Sequence, residues 1–356
     1  MISVSFAYCL SISSRKNERQ GEGSMGKRKL SVKDIAEMAN VSVATVSRVM
    51  NQNGRYSKAT EEKVKEIIKK YNYHPNELAR GLRVNKAQVI GVIVPDITNE
   101  FFSYIARKIE SELISRGYMT VICDTNETEK MEEKYIQMLM AMRVSGIIYI
   151  SGDCTLRQLD GLPTVYIDRK PNEPKNRENI SFIGSDNYQG GYLGTKRLID
   201  AGRKNIAIVL HDKNLETQER RLNGYKHALL ENGISMNPEL IFKVSTIDMN
   251  SGYSVTQKLW EKYKDIDGIF YSSDVLAIGA IRYFSEHGIK IPQEISIIGF
   301  DDIPISSKVT PALTTVRQQY TEFGKIAAES IIRIINGETE YRKYILSVEI
   351  IERDTV

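Results

Sequence analysis

Cysteine, histidine and long apolar runs are scarce in this sequence, and their scarcity excludes several classes of protein. The 356 residues include three cysteines and four histidines. The cysteines, Cys9, Cys123 and Cys154, are odd in number and far apart, so neither a disulfide framework nor a zinc cluster fits them. A reducing cytosol is therefore expected. No apolar run reaches the ~18–20 residues that a membrane-spanning helix needs.

Motifs for common enzyme chemistry are also missing. The histidines are scattered, no Ser–His–Asp arrangement is evident, and there is no Gly-rich phosphate loop. The stretch "GSDNYQGGYLG" at 184–194 has glycines, but not the spacing of a dinucleotide site. The sequence therefore predicts neither an enzyme nor a bound metal or cofactor.

Charge is distributed unevenly along the chain. Residues 26–86 hold 14 Lys/Arg and 6 Asp/Glu, a net charge of +8, whereas residues 87–356 hold 32 and 37, a net charge of −5. The length suggests two or three domains, so a small basic module precedes a mildly acidic body. A basic module binds polyanions or is simply a solvated charged face.

The basic module carries the signals of three short helices. "SVKDIAEMA" at 31–39 starts with a Ser cap and repeats apolar residues at helical spacing, and Asn40 then suits a tight turn. Ser42 can cap a second helix, and a third begins near Ser57 with an apolar stripe that ends at Tyr71. This pattern predicts a helix-turn-helix.

The second helix, "VSVATVSRVMN" at 41–51, has one narrow apolar edge and an outer face of small residues. A helix that lies deep in the major groove needs such a face, because bulky side chains would hold it away from the base edges. Arg48 can bond a guanine through two hydrogen bonds, and Thr45 and Ser47 can bond phosphates. The alternative is an ordinary short surface helix.

From residue 87 the pattern becomes an alternation of strands and helices. Buried strands are predicted at 89–96, 163–168, 205–210, 268–273 and 296–302, with further units between them. Such alternation indicates parallel sheets covered by helices, in which ligands bind at the carboxyl ends of the strands.

Polar and aromatic residues follow those strands. Carboxylates and arginines can grip the hydroxyls of a neutral sugar, and aromatic rings can cover its faces. Taken singly, the phenylalanines could be core residues and Asp168 and Arg169 a surface ion pair. Together they favour a binding cleft.

The stretch from "LSVKDIAEMANVSVATVSRVMN" to "VIGVIVPDITNEFF" closely resembles the lactose/purine repressor (LacI) family of regulators, and the likeness covers residues 30 to about 356. The resemblance implies a small all-α helix-turn-helix head and an α/β core of two doubly wound parallel-sheet subdomains of periplasmic-binding-protein type. The expected domains are a leader or extension, 1–27; the head, 28–74; a hinge helix, 75–86; and an effector-binding and dimerisation core, 87–356. Within the core, the N-subdomain is expected at about 87–186 and 318–345, and the C-subdomain at about 188–316 and 348–356.

The resemblance also implies which residues bind DNA and effector. Leu82 corresponds to the family's minor-groove wedge. The residues expected at DNA are Ser42, Val43, Ala44, Thr45, Ser47, Arg48, Asn51, Tyr73, Leu82 and Arg83. In the ribose-type binding proteins that the core resembles, the matching positions are Asn99, Phe101, Phe102, Asp168, Arg169, Arg221, Asp301 and Gln318. The expected effector set adds Ser273, which departs from the usual Asn, and Asp274.

The function implied is a cytoplasmic, homodimeric, sequence-specific repressor of a sugar-utilisation operon. Its partners would be double-stranded operator DNA and a small sugar, with ribose favoured, and no membrane. Catabolite-type and purine-type regulators of the same family stay open as alternatives. A solute-binding protein would suit the body, but the basic head and the N-terminus argue against it, since no Lys or Arg precedes the first apolar stretch.

The first 24 residues precede the family's usual start and end in "GEGSM". Gly-Glu-Gly has purine-rich codons one codon upstream of Met25, which is typical of a ribosome-binding site. We expect Met25 to be the natural initiator and residues 1–24 to be disordered if they are made. A DNA-touching arm that uses Arg15, Lys16 and Arg19 is the alternative.

Overall fold

The computed structural model describes residues 30–50, 52–71, 73, 88–150, 159, 161–169, 178–213 and 215–356. The chain divides into two compact units at residue 77. The expectations for the leader and for the hinge at 75–86 lie outside the described residues. Across the described ranges, no helix combines the length and the apolar composition that crossing a membrane requires.

The described part of the head contains three helices, which are α1 (Val32–Ala39), α2 (Val43–Met50) and α3 (Lys58–Lys70). Their core is small and includes Ile35, Val46, Val49 and Val64, all buried. Tyr71, which the apolar stripe of the third helix included, is 46% exposed and lies outside this core.

In the residues described for it, the second unit contains two six-stranded sheets. The first has the order β11-β5-β4-β3-β1-β2, and its strands all run parallel. Its strands are β1 (Val89–Val94), β2 (Met119–Asp124), β3 (Gly146–Ile150), β4 (Thr164–Ile167), β5 (Ile180–Ser185) and β11 (Arg342–Leu346). The helices on it are α4 (Glu100–Ser115), α5 (Glu129–Ala141) and α10 (Tyr320–Ile335). This sheet and its helices form the N-subdomain.

The second sheet has the order β12-β10-β9-β8-β6-β7, and only β12 runs antiparallel to its neighbour. Its strands are β6 (Ile206–His211), β7 (Ile241–Val244), β8 (Gly268–Tyr271), β9 (Ser296–Asp301), β10 (Thr314–Arg317) and β12 (Glu349–Ile351). Helices α6 (Asn187–Asp200) and α7 (Glu216–Glu231) cover one face, and α8 (Met249–Lys262) and α9 (Asp274–Glu286) cover the other. This is the C-subdomain.

Two pairs of helices in the C-subdomain pack with their backbones in direct contact. A Cβ built on Gly191 would lie 2.1 Å from the main-chain oxygen of Arg221, and one on Gly224 would lie 2.1 Å from that of Tyr188. The pair α8 and α9 is built in the same way at Gly252 and Gly279. Only glycine lets these backbones touch.

The chain passes between the sheets three times: at residue 186 after β5, at 318–319 after β10 and at 347–348 after β11. The family resemblance implies three such passages, near 186–188, 314–318 and 345–348; strand β10 occupies most of the second range, and β11 extends into the third. The predicted fold class, a helical head followed by two α/β subdomains, is confirmed.

Candidate functional site

The head presents an exposed face on α2. Ser31 and Asp34 form a capping box that starts α1, and Asn40 ends it in the left-handed region, at φ 55°. The Ser42 hydroxyl accepts a hydrogen bond from the Thr45 N–H at 3.1 Å, which caps α2. Local capping therefore fixes the turn between the two helices.

The expected DNA-contacting residues of α2 lie on its outer surface. Ser42, Val43, Ala44, Ser47 and Arg48 are exposed, and Thr45 is half-buried, with its hydroxyl 2.9 Å from the Ser42 hydroxyl. Capping thus engages the side chains of Ser42 and Thr45 and leaves the small, exposed surface around Ala44.

Arg48 is positioned by the turn after α2. Gly54 has φ +83°, and a Cβ there would lie 3.2 Å from the Arg48 Cδ. The aliphatic part of the arginine therefore crosses this glycine and leaves its guanidinium exposed.

Of the remaining expected DNA contacts, only Tyr73 lies within the described residues. Tyr73 is half-buried and packs against the head core, so a large part of its ring has a structural role. Asn51, Leu82 and Arg83 lie outside the described residues.

In the core, a buried network centres on Asp301, at the carboxyl end of β9. Its two carboxylate oxygens accept hydrogen bonds from the Gln318 amide at 2.8 Å and from the Ser273 hydroxyl at 3.0 Å. The Gln318 Oε1 in turn accepts a hydrogen bond from the Ser185 hydroxyl at 2.5 Å. The chain Ser185–Gln318–Asp301–Ser273 thus joins the carboxyl ends of strands from both sheets.

Both the backbone conformation of Asp301 and the burial of its carboxyl group are energetically unfavourable. Its φ of 122° lies where glycine is favoured, and only 5% of the residue is exposed. Burial raises the pKa of Asp301 to about 7, although the nearby Arg221 guanidinium acts in the opposite direction. Strain and a perturbed carboxyl at one residue are typical of a binding site.

Arg221 is fixed beside this network. Its Nε donates to the Asn187 side chain at 2.8 Å, its Nη1 donates to the Ser272 carbonyl, and the guanidinium lies 3.6 Å from the centre of the Phe300 ring. Burial lowers the pKa of Arg221, while the charges of Asp301 and Asp168 raise it. Arg221 therefore lies within electrostatic reach of carboxylates from both subdomains.

The start of α4 supplies aromatic surface. The Asn99 side chain caps the helix by accepting a hydrogen bond from the Phe101 N–H at 3.0 Å. The Phe101 ring packs edge to face on the Phe102 ring, with 5.2 Å between the ring centres, and its centre lies 5.9 Å from that of the Tyr320 ring. The Tyr320 hydroxyl donates to the Asp301 carbonyl at 2.5 Å, which connects this aromatic group to the network.

Asp168 and Arg169 follow β4 on the N-subdomain. Asp168 is 8% exposed, has φ 68°, and its carboxylate lies 3.9 Å from the Arg169 Nε. The pair is therefore largely buried, unlike the surface ion pair that was the alternative expectation.

Asp274 is held by protein donors. It is fully buried, and its carboxylate accepts hydrogen bonds from the Ile303 N–H and from the hydroxyls of Ser306 and Thr315. Burial and the charge of Asp301 raise the pKa of Asp274 well above its usual value. With three protein donors on its carboxylate and none of the residue exposed, Asp274 braces the loop after β9, and its place in the effector set stays a prediction.

Sequence reasoning missed several residues of this region. Ser185, Asn187 and Phe300 hold the side chains of Gln318 and Arg221, and Tyr320 joins α10 to Asp301. His211, the last residue of β6, is buried at the same strand edge. The signal for His211 was present, because it is a polar residue that ends an apolar strand.

Two family models match this chain. Residues 31–76 match "Bacterial regulatory proteins, lacI family", and residues 195–356 match "Periplasmic binding protein-like domain". The ribose operon repressor of Halalkalibacterium halodurans is 35% identical over 327 residues, which cover 91% of this chain and 96% of the relative.

Two solved structures are similar along most of the fold. The lac repressor dimer bound to operator and the anti-inducer ONPF is 25% identical with a TM-score of 0.80, and the match covers 92% of this chain and 99% of that one. A LacI-family transcriptional regulator from Enterococcus faecium with bound ribose is 30% identical with a TM-score of 0.67, over 75% of this chain and 98% of that one. These proteins are named as regulators rather than enzymes, in agreement with the sequence-based expectation.

Proposed function

Since the chain belongs to the LacI family of bacterial regulatory proteins, we propose that it is a homodimeric, sequence-specific repressor of a sugar-utilisation operon. Its effector is a small neutral sugar, with ribose favoured, and it acts in the cytoplasm on double-stranded operator DNA. The observation that carries this proposal is the buried Asp301 network between the two sheets, with Arg221 beside it.

The chemistry of the cleft supports a neutral, hydroxylated ligand. Asp168 and Asp301 supply acceptors, Arg221 and Arg169 supply donors, and Phe101 supplies an apolar ring surface. Paired carboxylates and guanidiniums bond adjacent hydroxyls, while the balance of charges gives no advantage to a strongly anionic ligand. The ribose named in the relative and in the bound neighbour supports the choice of sugar.

The exposed face of α2 supports DNA binding. A helix without bulky side chains can approach base edges, and Arg48 can donate two hydrogen bonds to a guanine. The DNA-bound dimer among the similar structures supports a dimer on a palindromic site.

The DNA-binding part is tested by selecting duplexes from a random pool and measuring affinity by fluorescence anisotropy. Arg48→Ala should weaken binding by roughly 1–3 kcal/mol and relax preference at one base pair. Lys70→Ala removes the same charge from the end of α3 and should leave the preference intact. Equal preference profiles for Arg48→Ala and the wild type would refute the role of Arg48.

The effector part is tested by a thermal-shift screen of pentoses, hexoses and purine bases. A ligand at 100 times its Kd should add about 2.7 kcal/mol of stability. The expected outcome is stabilisation by D-ribose and altered operator affinity in its presence. Stabilisation by purines alone would instead favour the purine-type alternative.

A further inference from the structure

His211 has a buried ring nitrogen that the network around Asp301 does not use. The residue ends β6 and is 3% exposed. Its backbone N–H donates a hydrogen bond to the Gln218 side chain at 3.2 Å, and its ring Nδ1 accepts a hydrogen bond from the Lys213 backbone N–H at 2.9 Å. Among the residues that the structure describes, none forms a hydrogen bond with its buried Nε2.

These contacts define the tautomer of the ring. Because Nδ1 accepts a hydrogen bond from a backbone N–H, it does not carry a proton itself. Burial lowers the pKa of His211, so the imidazole is neutral at pH 7. The single ring proton is therefore on Nε2, which makes Nε2 a buried donor without an acceptor.

The ring lies at the edge of the cleft opposite the chain passages. The charged groups that shift the pKa of His211 are Glu127 and Arg169 from the N-subdomain, and Asp212 and Lys213 from its own loop. Lys213 and Glu127 form an ion pair at 2.7 Å between the two subdomains. Glu127 and Arg169 are thus close enough to His211 to affect its charge, although they belong to the other subdomain.

None of these neighbours is placed to accept the proton. Arg169 and Lys213 can only donate, the Glu127 carboxylate is held by Lys213, and Asp212 lies 3.4 Å from Nδ1 rather than from Nε2. Leaving a buried donor unpaired costs free energy, and such groups in native proteins are usually met by a partner or a ligand.

We propose that the Nε2–H of His211 donates a hydrogen bond to a hydroxyl or ring oxygen of the sugar effector, which makes His211 a specificity-determining residue. This inference rests on the proposed function. A neutral imidazole donor suits an uncharged oxygen and complements the acceptors Asp301, from the same sheet, and Asp168, from the other subdomain.

Two substitutions separate the effector contact from the loop contact. His211→Asn keeps an oxygen near the position of Nδ1 for the Lys213 N–H and removes the Nε2 donor. His211→Gln places an amide N–H near the position of Nε2 and loses the loop acceptor. With D-ribose as the probe in calorimetry, His211→Asn should bind about five- to tenfold more weakly, the value of one neutral hydrogen bond, and His211→Gln within about twofold of the wild type.

Deoxy sugars identify the contacted oxygen. One of 2-deoxy-, 3-deoxy- and 5-deoxy-D-ribose should bind the wild type more weakly than ribose, yet lose nothing further in His211→Asn. Such non-additivity marks a direct contact. Thermal unfolding without sugar should be the same for the wild type and His211→Asn.

The other outcomes separate the two proposals. Weak binding by His211→Gln together with normal binding by His211→Asn would assign the histidine to the loop and overturn this inference. Normal ribose binding by both variants would overturn it as well, and would leave the sugar-responsive function intact. A wild-type protein that binds none of these sugars would refute the sugar effector and the role of His211 together.

Discussion

The pKa of Asp301 predicts an unusual dependence of stability on pH. The carboxyl ionises near its ordinary value of 3.8 in the unfolded chain and near 7 in the folded one. Between these pH values the folded state holds a proton that the unfolded state has released, so stability falls as pH rises. Above pH 7 the full cost is present and amounts to about 4 kcal/mol, an order-of-magnitude figure that follows from the two pKa values.

Asp301→Asn should remove this cost. Asn is neutral at every pH, and the Ser273 hydroxyl can rotate to accept a hydrogen bond from the new amide, so the network survives. Without sugar, the variant should match the wild type at pH 4 and exceed it by a few kcal/mol at pH 8. Because the charge of Asp301 raises the pKa of Asp274, Asp301→Asn also removes that repulsion, and this adds to the stability of the variant at pH 8.

The single tryptophan makes the measurement local. Trp260 contacts Phe284 edge to face at 5.3 Å, in the same subdomain as Asp301. Urea titrations followed by its fluorescence at several pH values therefore report the unfolding of that subdomain. Asp302→Asn is the matched control, because its carboxylate pairs with Arg317 and Arg353 and its loss should destabilise the protein at pH 8.

Sugar binding should show the opposite trend. An ionised Asp301 is the better acceptor, so the affinity of the wild type for D-ribose should rise as pH increases through about 7, and that of Asp301→Asn should be weaker and nearly constant. If the wild type and Asp301→Asn have parallel stability curves from pH 4 to 8, the raised pKa is wrong and so is the reasoning that makes this carboxyl a strained acceptor.

Three further substitutions test other parts of the molecule. Gly191→Ala forces a methyl group against the main-chain oxygen of Arg221 and should lower the free energy of unfolding in urea by about 1–3 kcal/mol, whereas the exposed Gln189→Ala should change it by less than about 0.5 kcal/mol. Asp274→Ala leaves three buried donors unpaired, so it should lower the urea midpoint and leave ribose affinity within about threefold; a large selective loss of ribose affinity would support its effector role. Leu82→Gly should weaken operator binding and leave ribose affinity nearly unchanged, and normal operator binding would contradict the wedge assignment.

The head was predictable because its signals are local. Ser31, Asn40, Ser42 and Ser57 act on residues within a few positions of themselves, and each caps or ends a helix as expected. Tyr71 was assigned to the core from spacing alone, but the helix ends at Lys70 and leaves the ring exposed.

The sheets were predictable where apolar runs are continuous. Strands such as β1 are buried on both faces and read as unbroken apolar segments. Strands β7, β11 and β12 lie at sheet edges and contain charged or half-exposed residues, so their sequences resemble loops. Their pairing partners are distant along the chain, and no local pattern reveals them.

The position of the site could be predicted from the sequence, but the role of each carboxylate in it could not. The rule that ligands bind at strand ends led to Asp168, Asp274 and Asp301 alike. Which carboxylate is available depends on the donors around it, and Asp274 is occupied by groups from 29 to 41 residues away. The same rule, applied to His211, would have included it.

The three chain passages have a mechanical consequence. They lie beside β5, β10, β11 and β12, at one edge of each sheet, whereas the ion pair of Glu127 and Lys213 lies near β2 and β6, toward the opposite edge. Five strand spacings of about 4.8 Å give a lever of roughly 24 Å between hinge and rim. Stretching the 2.7 Å ion pair beyond 4 Å then takes a rotation of only about 3°. A small rotation at the passages thus becomes a large displacement at the rim. A pair of spectroscopic labels placed there would detect the separation of the two subdomains at angles too small to change the passages visibly.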